Sequence, residues 1–316
     1  MIRKFLCSVA ALIFALPTRG EDPAGLLIAV GDGGRRIVSR DGINWENDQR
    51  GSTTGNDETL SDIAFGVGKF VAVGGGAGIG RILTTRDGRE WRELPEVRGH
   101  VATITFGHGR FIAGHGAELM FSTDGESFTS GGRLEWDGLI HPRRSACGDT
   151  EAGFRTVIIG DLDLAGKNQR TSWRGVTGDG TRWEHAELDT PAALDIAYGS
   201  GHFVVVGPGG LIESSHDGET WQRHDTGTRD EFSRIVWTGR RFLVSGGTVA
   251  WSSPDGLEWK AEPFAIPCAL LGARDGRLGI GVSPSGIVFT SGDLRTWRPQ
   301  ALPAGPPLRA VAFGAP

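Results

Sequence analysis

The chain has 316 residues, 51 of them glycine and one tyrosine, with a formal net charge of −5 at pH 7. An acidic balance with singly scattered charges excludes the usual nucleic-acid binders, because it would repel phosphates, and gives no hold on an anionic membrane. So much glycine without a collagen-like period fits many short strands joined by tight turns.

Residues 1–20 read apart from the rest. Arg3 and Lys4 make a basic start, residues 5–16 an apolar run, and Pro17-Thr18-Arg19-Gly20 a cleavage region, the pattern of a secretory signal peptide. The run is too short to span a bilayer as a helix, and no later stretch is apolar enough to do so. Cys7 lies inside it without a small-residue lipidation context. The expectation is an exported protein, periplasmic or extracellular, with residues 21–316 forming one domain. Removing three of the 33 basic residues with the signal leaves 30 against 38 acidic ones, net −8.

From there one motif, hydroxyl-x-Asp-Gly-x-x-aromatic, returns seven times in chain order. Its copies are Ser39, Asp41, Gly42 and Trp45; Thr85, Asp87, Gly88 and Trp91; Ser122, Asp124, Gly125 and Phe128; and Thr177, Asp179, Gly180 and Trp183. They continue with Ser215, Asp217, Gly218 and Trp221; Ser253, Asp255, Gly256 and Trp259; and Ser291, Asp293, Leu294 and Trp297. Asp-Gly marks a tight hairpin, in which glycine takes positive φ and the Asp and Ser side chains bond back to turn amides. The aromatic opens the next strand and brings an apolar plate. Leu294 breaks the glycine rule, which predicts another turn type or strain. The motif is first a folding device.

Around each motif a longer unit repeats, cleanest over residues 194–221: a short apolar strand, a glycine turn, a second apolar strand, a glycine-rich loop, a third strand, the Asp-Gly hairpin and a fourth strand. Successive motif aromatics are 46, 37, 55, 38, 38 and 38 residues apart. A period near forty with four strands per unit predicts an all-β fold, a seven-bladed β-propeller of four-stranded blades. The first unit begins at its second strand, residues 26–30. Leu308-Arg-Ala-Val-Ala-Phe-Gly314 matches Leu60-Ser-Asp-Ile-Ala-Phe-Gly66, so the C-terminal strand should complete blade one and close the ring.

Blade four is irregular. Ser145-Ala-Cys-Gly148 stands where Ile-Ala-Phe-Gly is expected, a long connection covers residues 130–144, and an extended loop is expected at 161–170. Cys147 ends the inner strand of blade four and Cys268 starts that of blade seven. These blades lie nearly opposite each other, whereas a disulfide needs Cα atoms within about 7 Å, which favours two unpaired, largely buried thiols.

The seven turns resemble the Asp-box, or BNR repeat, of sialidases, sortilin-type receptors, xyloglucanases and photosystem assembly factors. The resemblance covers nearly the whole chain after residue 20. It departs in that Asp217 and Gly218 are adjacent, where the usual form has one residue between. The unit with Phe-Val-x-Val-Gly before the turn is also similar to uncharacterised exported bacterial seven-bladed propellers. The Asp-box implies the fold, with the turns away from the ligand face. Sialidase chemistry would need an arginine cluster, a Tyr nucleophile paired with Glu, and an Asp acid/base. The single tyrosine, Tyr198, occupies the Phe65 and Phe106 position of the repeat, and no Arg-Ile-Pro signature is present.

No Gly-x-Ser-x-Gly, His-Glu-x-x-His or Cys-x-x-Cys occurs. His108, His202 and His216 fall in turns, and His100, His115 and His141 in loops on the opposite face. Asp161-Leu-Asp163-Leu-Ala-Gly166 begins like a calcium loop, but Ala165 stands where a third oxygen ligand is needed. No cofactor is expected, calcium at that loop being the one candidate. Candidate ligand-binding residues gather around blade four: Trp136, His141, Arg143, Arg144, Asp161, Asp163, Lys167 and Arg170. Mixed in charge and rich in arginine, they point to a monomeric, non-catalytic binding scaffold for a protein or glycan. A carbohydrate-active enzyme, a glycosidase or lyase using the same face, is the alternative.

Overall fold

The computed structural model describes residues 25–51, 58–76, 78–133, 138–164, 170–179, 182–188, 193–302 and 305–316. Seven antiparallel sheets follow one another, each ordered from an inner to an outer strand. The fold is a seven-bladed propeller of four-stranded blades. Blade two has an additional short strand, Val97–Arg98, against its third strand, Ile79–Thr85. Among the described residues no helix is long and apolar enough to cross a membrane.

The ring closes as the repeat requires. Leu308–Gly314 is the inner strand of blade one and pairs with Leu26–Gly31, from Leu26↔Gly314 to Gly31↔Leu308, with one bulge beside Val30. Arg36–Ser39 and Trp45–Gln49 complete that blade. No edge is left open between the last blade and the first.

Seven apolar cores lie between the seven blades. Alternate residues of one second strand serve two of them. Leu27 and Ala29 join Ile280, Val282 and Val288 of blade seven. Ile28 and Val30 join Leu60, Phe70 and Leu83 of blade two. Being covered on both faces, these strands read as unbroken apolar runs such as Phe70-Val-Ala-Val73 and Phe203-Val-Val-Val206. Each fully buried Val, Leu, Ile or Phe side chain contributes roughly 1.5–3 kcal/mol. Closure therefore matters for the first blade as much as for the last.

The Asp-Gly turns are built as their residue types demand. Ser215 Oγ donates to Asp217 Oδ1 at 2.9 Å and accepts the Gly218 N–H at 2.7 Å. Asp217 Oδ1 also accepts the amides of Glu219 and Thr220, both at 2.8 Å. Trp221 Nε1–H donates to the Gly218 carbonyl at 2.9 Å. Asp41, Asp87, Asp124, Asp255 and Asp293 each accept the same two amides, and the described part of the blade-four turn keeps the Arg182 amide on Asp179. Gly218 is required twice over: its φ is +83°, and a Cβ there would lie 2.8 Å from Val157 and Val176 of blade four. Each such turn thus leans on the preceding blade.

Leu294 resolves the exception. It keeps the turn with φ +59° and is strained, not a different turn type. Its side chain, 1% exposed, fills the core between blades six and seven. The Trp297 indole N–H has no hydrogen-bond partner among the described residues, unlike its counterparts at Trp45, Trp91, Trp221 and Trp259.

At the hairpin end of the inner strands, Gly66, Gly148, Gly199 and Gly314 each lie under the ring of the next blade, respectively Phe106, Tyr198, Trp237 and Phe65. Tyr198 is therefore a packing residue of this belt, and its hydroxyl donates to the Asp149 carbonyl. Cys147 takes an aromatic place in the same belt, its Sγ 3.3 Å from the Phe106 carbonyl. Cys268 lies in the blade six–seven core, and both thiols are unpaired. Burial pushes the Cys147 thiol up to about 11 and that of Cys268 up to about 12.

Blade four departs from the expected loops. Thr129–Arg133 is the outer strand of blade three, and the inner strand of blade four already starts at Gly138. Asp161 to Leu164 are the end of the second strand, Gly153–Leu164, and the third strand opens at Arg170. Residues 138–144 of the expected connection and 161–164 of the expected loop are thus ladder, in a register from Gly138↔Leu164 to Thr150↔Gly153 with a bulge at Pro142/Arg144, while residues 134–137 and 165–169 lie outside the described residues. Three apolar residues decide it. Ile140, Leu162 and Trp173, at most 5% exposed, pack on Ile112 and Leu119 of blade three. The polar residues alternating with them hid the strand pattern.

Candidate functional site

The Asp-Gly turns and the first hairpins share one face of the disc. The links between blades and the loops after the second strands share the other, here the upper face. Pro142↔Gly160 in blade four corresponds to Leu60↔Gly74 in blade two, each the last pair before a bulge. The four residues from Gly138 to His141 extend past that level, roughly 13 Å of strand at the usual rise. The open end of the hairpin formed by the inner and second strands of blade four is therefore raised above the upper face, and Leu139 there is 68% exposed.

The candidate residues divide. His141 Nε2 lies 2.8 Å from Asp163 Oδ2 across the hairpin, and Arg143 donates to Asp161 Oδ2 at 2.6 Å. Both carboxylates thus already face basic partners, the reverse of what a cation site would offer. Among the described residues no group of three or more His, Cys, Asp or Glu is arranged to hold a metal. Arg170 begins the third strand, while Trp136 and Lys167 lie outside the described residues. Arg144 points elsewhere: its Nε is 3.7 Å from Asp195 Oδ1, at the axis of the ring.

There the inner strands surround a cavity of two chambers. The outer one, about 430 Å³, is lined by Ser61, His100, Arg143 and the starts of other inner strands. The inner one, about 150 Å³, is lined by Asp62, Asp195 and an apolar wall that includes Ile104, Ile196, Ile235 and Leu270. Arg144, Arg234 and Arg309 border both chambers.

The two aspartates tie neighbouring blades. Asp195 accepts the Ile196 amide and, across the blade boundary, the Ile235 amide, each at 3.0 Å. Asp62 accepts the Ile63 amide at 2.9 Å, the Ile104 amide at 3.0 Å and the Thr103 hydroxyl at 2.9 Å. With their oxygens so engaged, they are not the pair of free carboxyl groups that glycoside hydrolysis uses. Burial pushes the Asp195 carboxyl above its ordinary value, against the pull of Arg234 and Arg144.

The cations are less well matched. Arg309 pairs with Asp32. The Arg234 guanidinium makes no hydrogen bond, and no ion pair within 4 Å, among the described residues. Burial lowers its guanidinium from the ordinary value, Asp195 opposes this, and Arg144 adds to it. His100 sits between the Gly75 carbonyl, 2.8 Å from Nδ1, and Ser61 Oγ, 3.3 Å from Nε2. Burial lowers its ring below the ordinary histidine value, which favours the neutral form.

Asp62, Asp195, Arg234 and Arg309 are absent from the motif-based candidates, yet a signal for most of them exists. Aligned on the inner strand, one repeat column reads Asp62, Thr103, Arg144, Asp195, Arg234, Leu270 and Ala310. Charges in an otherwise apolar strand, in the same column of several blades, mark the axis. Arg309 lies one position earlier, where Ser61 and Arg143 stand.

The sequence matches no family model and no curated protein. Its likenesses are to solved propellers. YCF48 bound to D1 peptide superposes with a TM-score of 0.54 and 18% identity, over 89% of this chain and 90% of that one. The WD40 propeller domain of Doa1 gives 0.54 and 11%, over 88% and 90%. The Cps50 (Swd1) propeller domain of Myceliophteria thermophila gives 0.55 and 9%, over 84% and 92%. At these identities the shared property is the propeller fold.

Proposed function

We propose that this protein is an exported binding scaffold that holds a segment of a protein partner across its upper face, between the raised hairpin of blade four and the axial cavity. The observation that carries the reading is the hairpin itself. Fixing a backbone residue costs roughly 1–2 kcal/mol, and a strand extension with exposed Leu139 adds more than blade closure needs. Such an element is suited to meeting something. That a propeller of this fold, YCF48, is found with a D1 peptide is in keeping with it. Export rests on the apolar run of residues 5–16.

The test is site-specific photocrosslinking in the native host. A photoreactive residue at Leu139 should give a discrete protein adduct. The same residue at Leu257, exposed on the turn face, should give none. Adducts from Leu257 alone, from neither position, or with glycan instead of protein overturn the reading. N-terminal sequencing of the exported protein should begin near Glu21; a chain that keeps Met1 and stays in the cytoplasm overturns export.

A further inference from the structure

We infer that the mouth of the axial cavity is a carboxylate-binding site, which takes an acidic side chain or a C-terminal carboxylate of the partner segment between Arg144, Arg234 and Arg309. The inference rests on the scaffold reading and names the chemistry of what is held.

Three observations carry it. First, the arginines come from blades four, six and one, spaced around the ring, so their charges border the axial cavity from different sides. Second, the structural demands of the ring account for only part of them. Arg144 answers Asp195 and Arg309 answers Asp32, but the Arg234 guanidinium borders both chambers without a hydrogen bond or close ion pair among the described residues. A partly buried guanidinium without a hydrogen bond costs desolvation that only its attraction to Asp195 offsets, while its planar fork matches a carboxylate. Third, the charge balance selects the ligand. Three guanidinium groups face Asp62 and Asp195, whose oxygens are held by backbone amides. With Asp32 on Arg309 the set is close to neutral, and a singly charged carboxylate on Arg234 adds less negative charge beside the two aspartates than a phosphate dianion would. The larger outer chamber leaves room for a chain to approach, and the raised hairpin stands beside it.

The experiment measures fluorescence anisotropy of a labelled pentaglutamate peptide with the mature protein, in low and physiological salt. Saturable binding is expected, weakened at least tenfold by Arg234→Gln, with Arg234→Lys in between and with Arg86→Gln, on the turn face, unchanged. The melting temperature of Arg234→Gln should change little, since the substitution removes both the attraction to Asp195 and the repulsion from Arg144; a residue kept only for the fold would lower it markedly. Unchanged affinity in Arg234→Gln, or equal weakening in Arg86→Gln, overturns the site. Inorganic phosphate that displaces the peptide better than succinate does overturns the carboxylate preference. Succinate that competes as well as unlabelled peptide assigns the site to a free small acid and overturns the partner segment as its source. A Leu139 crosslink of undiminished yield in the Arg234→Gln protein refutes this site and leaves the scaffold reading standing. Loss of the crosslink in the wild type refutes the scaffold reading itself.

Discussion

The turn aspartates show how much one carboxylate can organise. Asp124 and Asp293 are held down to about 2, first by the amides of Glu126 and Thr296, respectively. Asp41, Asp87, Asp217 and Asp255 shift the same way. A carboxyl whose folded value is depressed contributes fully above its unfolded value, 3.8 here, and loses that contribution as pH falls towards 2. The melting temperature should therefore fall steeply between about pH 4 and pH 2. Asp124→Asn and Asp293→Asn should each flatten that fall, because the amide oxygen still accepts but no longer titrates. A slope unaltered by either substitution would assign acid sensitivity to other groups. At Leu294 two effects oppose each other. Positive φ costs leucine about 1–2 kcal/mol, whereas losing a buried leucine side chain costs about 2–5 kcal/mol. Packing wins, so Leu294→Gly should destabilise by about 1–3 kcal/mol in chemical denaturation, despite restoring the motif. A more stable glycine variant would show that strain dominates.

At the scale of the element, the motif tryptophan does less than a core residue and its neighbour does more. Trp221 is half-buried, with the Arg174 guanidinium 4.3 Å from its ring centre. Arg174 also donates to Glu213 of the next blade, and both are buried. Trp221→Ala should cost about 2–3 kcal/mol, under the 3–5 of a fully buried aromatic. Arg174→Met keeps the bulk but strands Glu213 without its cation, which costs about 3–5 kcal/mol. Denaturant titration should thus rank Arg174→Met as the more damaging. The opposite order would place the junction's stability in the ring and not in the ion pair. In blade four, the same logic explains why the hairpin stands: Ile140, Leu162 and Trp173 anchor one side, while His141–Asp163 and Arg143–Asp161 engage its polar groups.

For the whole molecule, closure is the central demand. Each blade buries its two faces against two neighbours, so no blade is complete alone. Removing residues 308–316 would take Leu308, Ala310, Val311 and Ala312 from the cores on both sides of blade one. It would also leave Leu26–Gly31 as an open edge. The truncated chain should lose its single cooperative melting transition and associate on size-exclusion chromatography. A monomer with an unchanged melting temperature would mean that blade one stands without its inner strand.

Fold, blade number and ring closure were legible in the chain, because a propeller repeats local chemistry: a hydroxyl, an aspartate and a glycine make the same turn wherever they stand, and strands buried on both sides read as apolar runs. The candidate site was legible only at its rim. Arg143, Arg144, Asp161 and Asp163 could be gathered around blade four by sequence distance, but only the ladder showed that the suspected loops are strands whose charges answer one another. Asp62, Asp195, Arg234 and Arg309 come from four blades, up to 247 residues apart in sequence. Each is an ordinary polar residue at the start of a strand until the ring closes. Closure brings them to one axis, and there shared burial decides which charge is answered and which one, Arg234, faces the cavity.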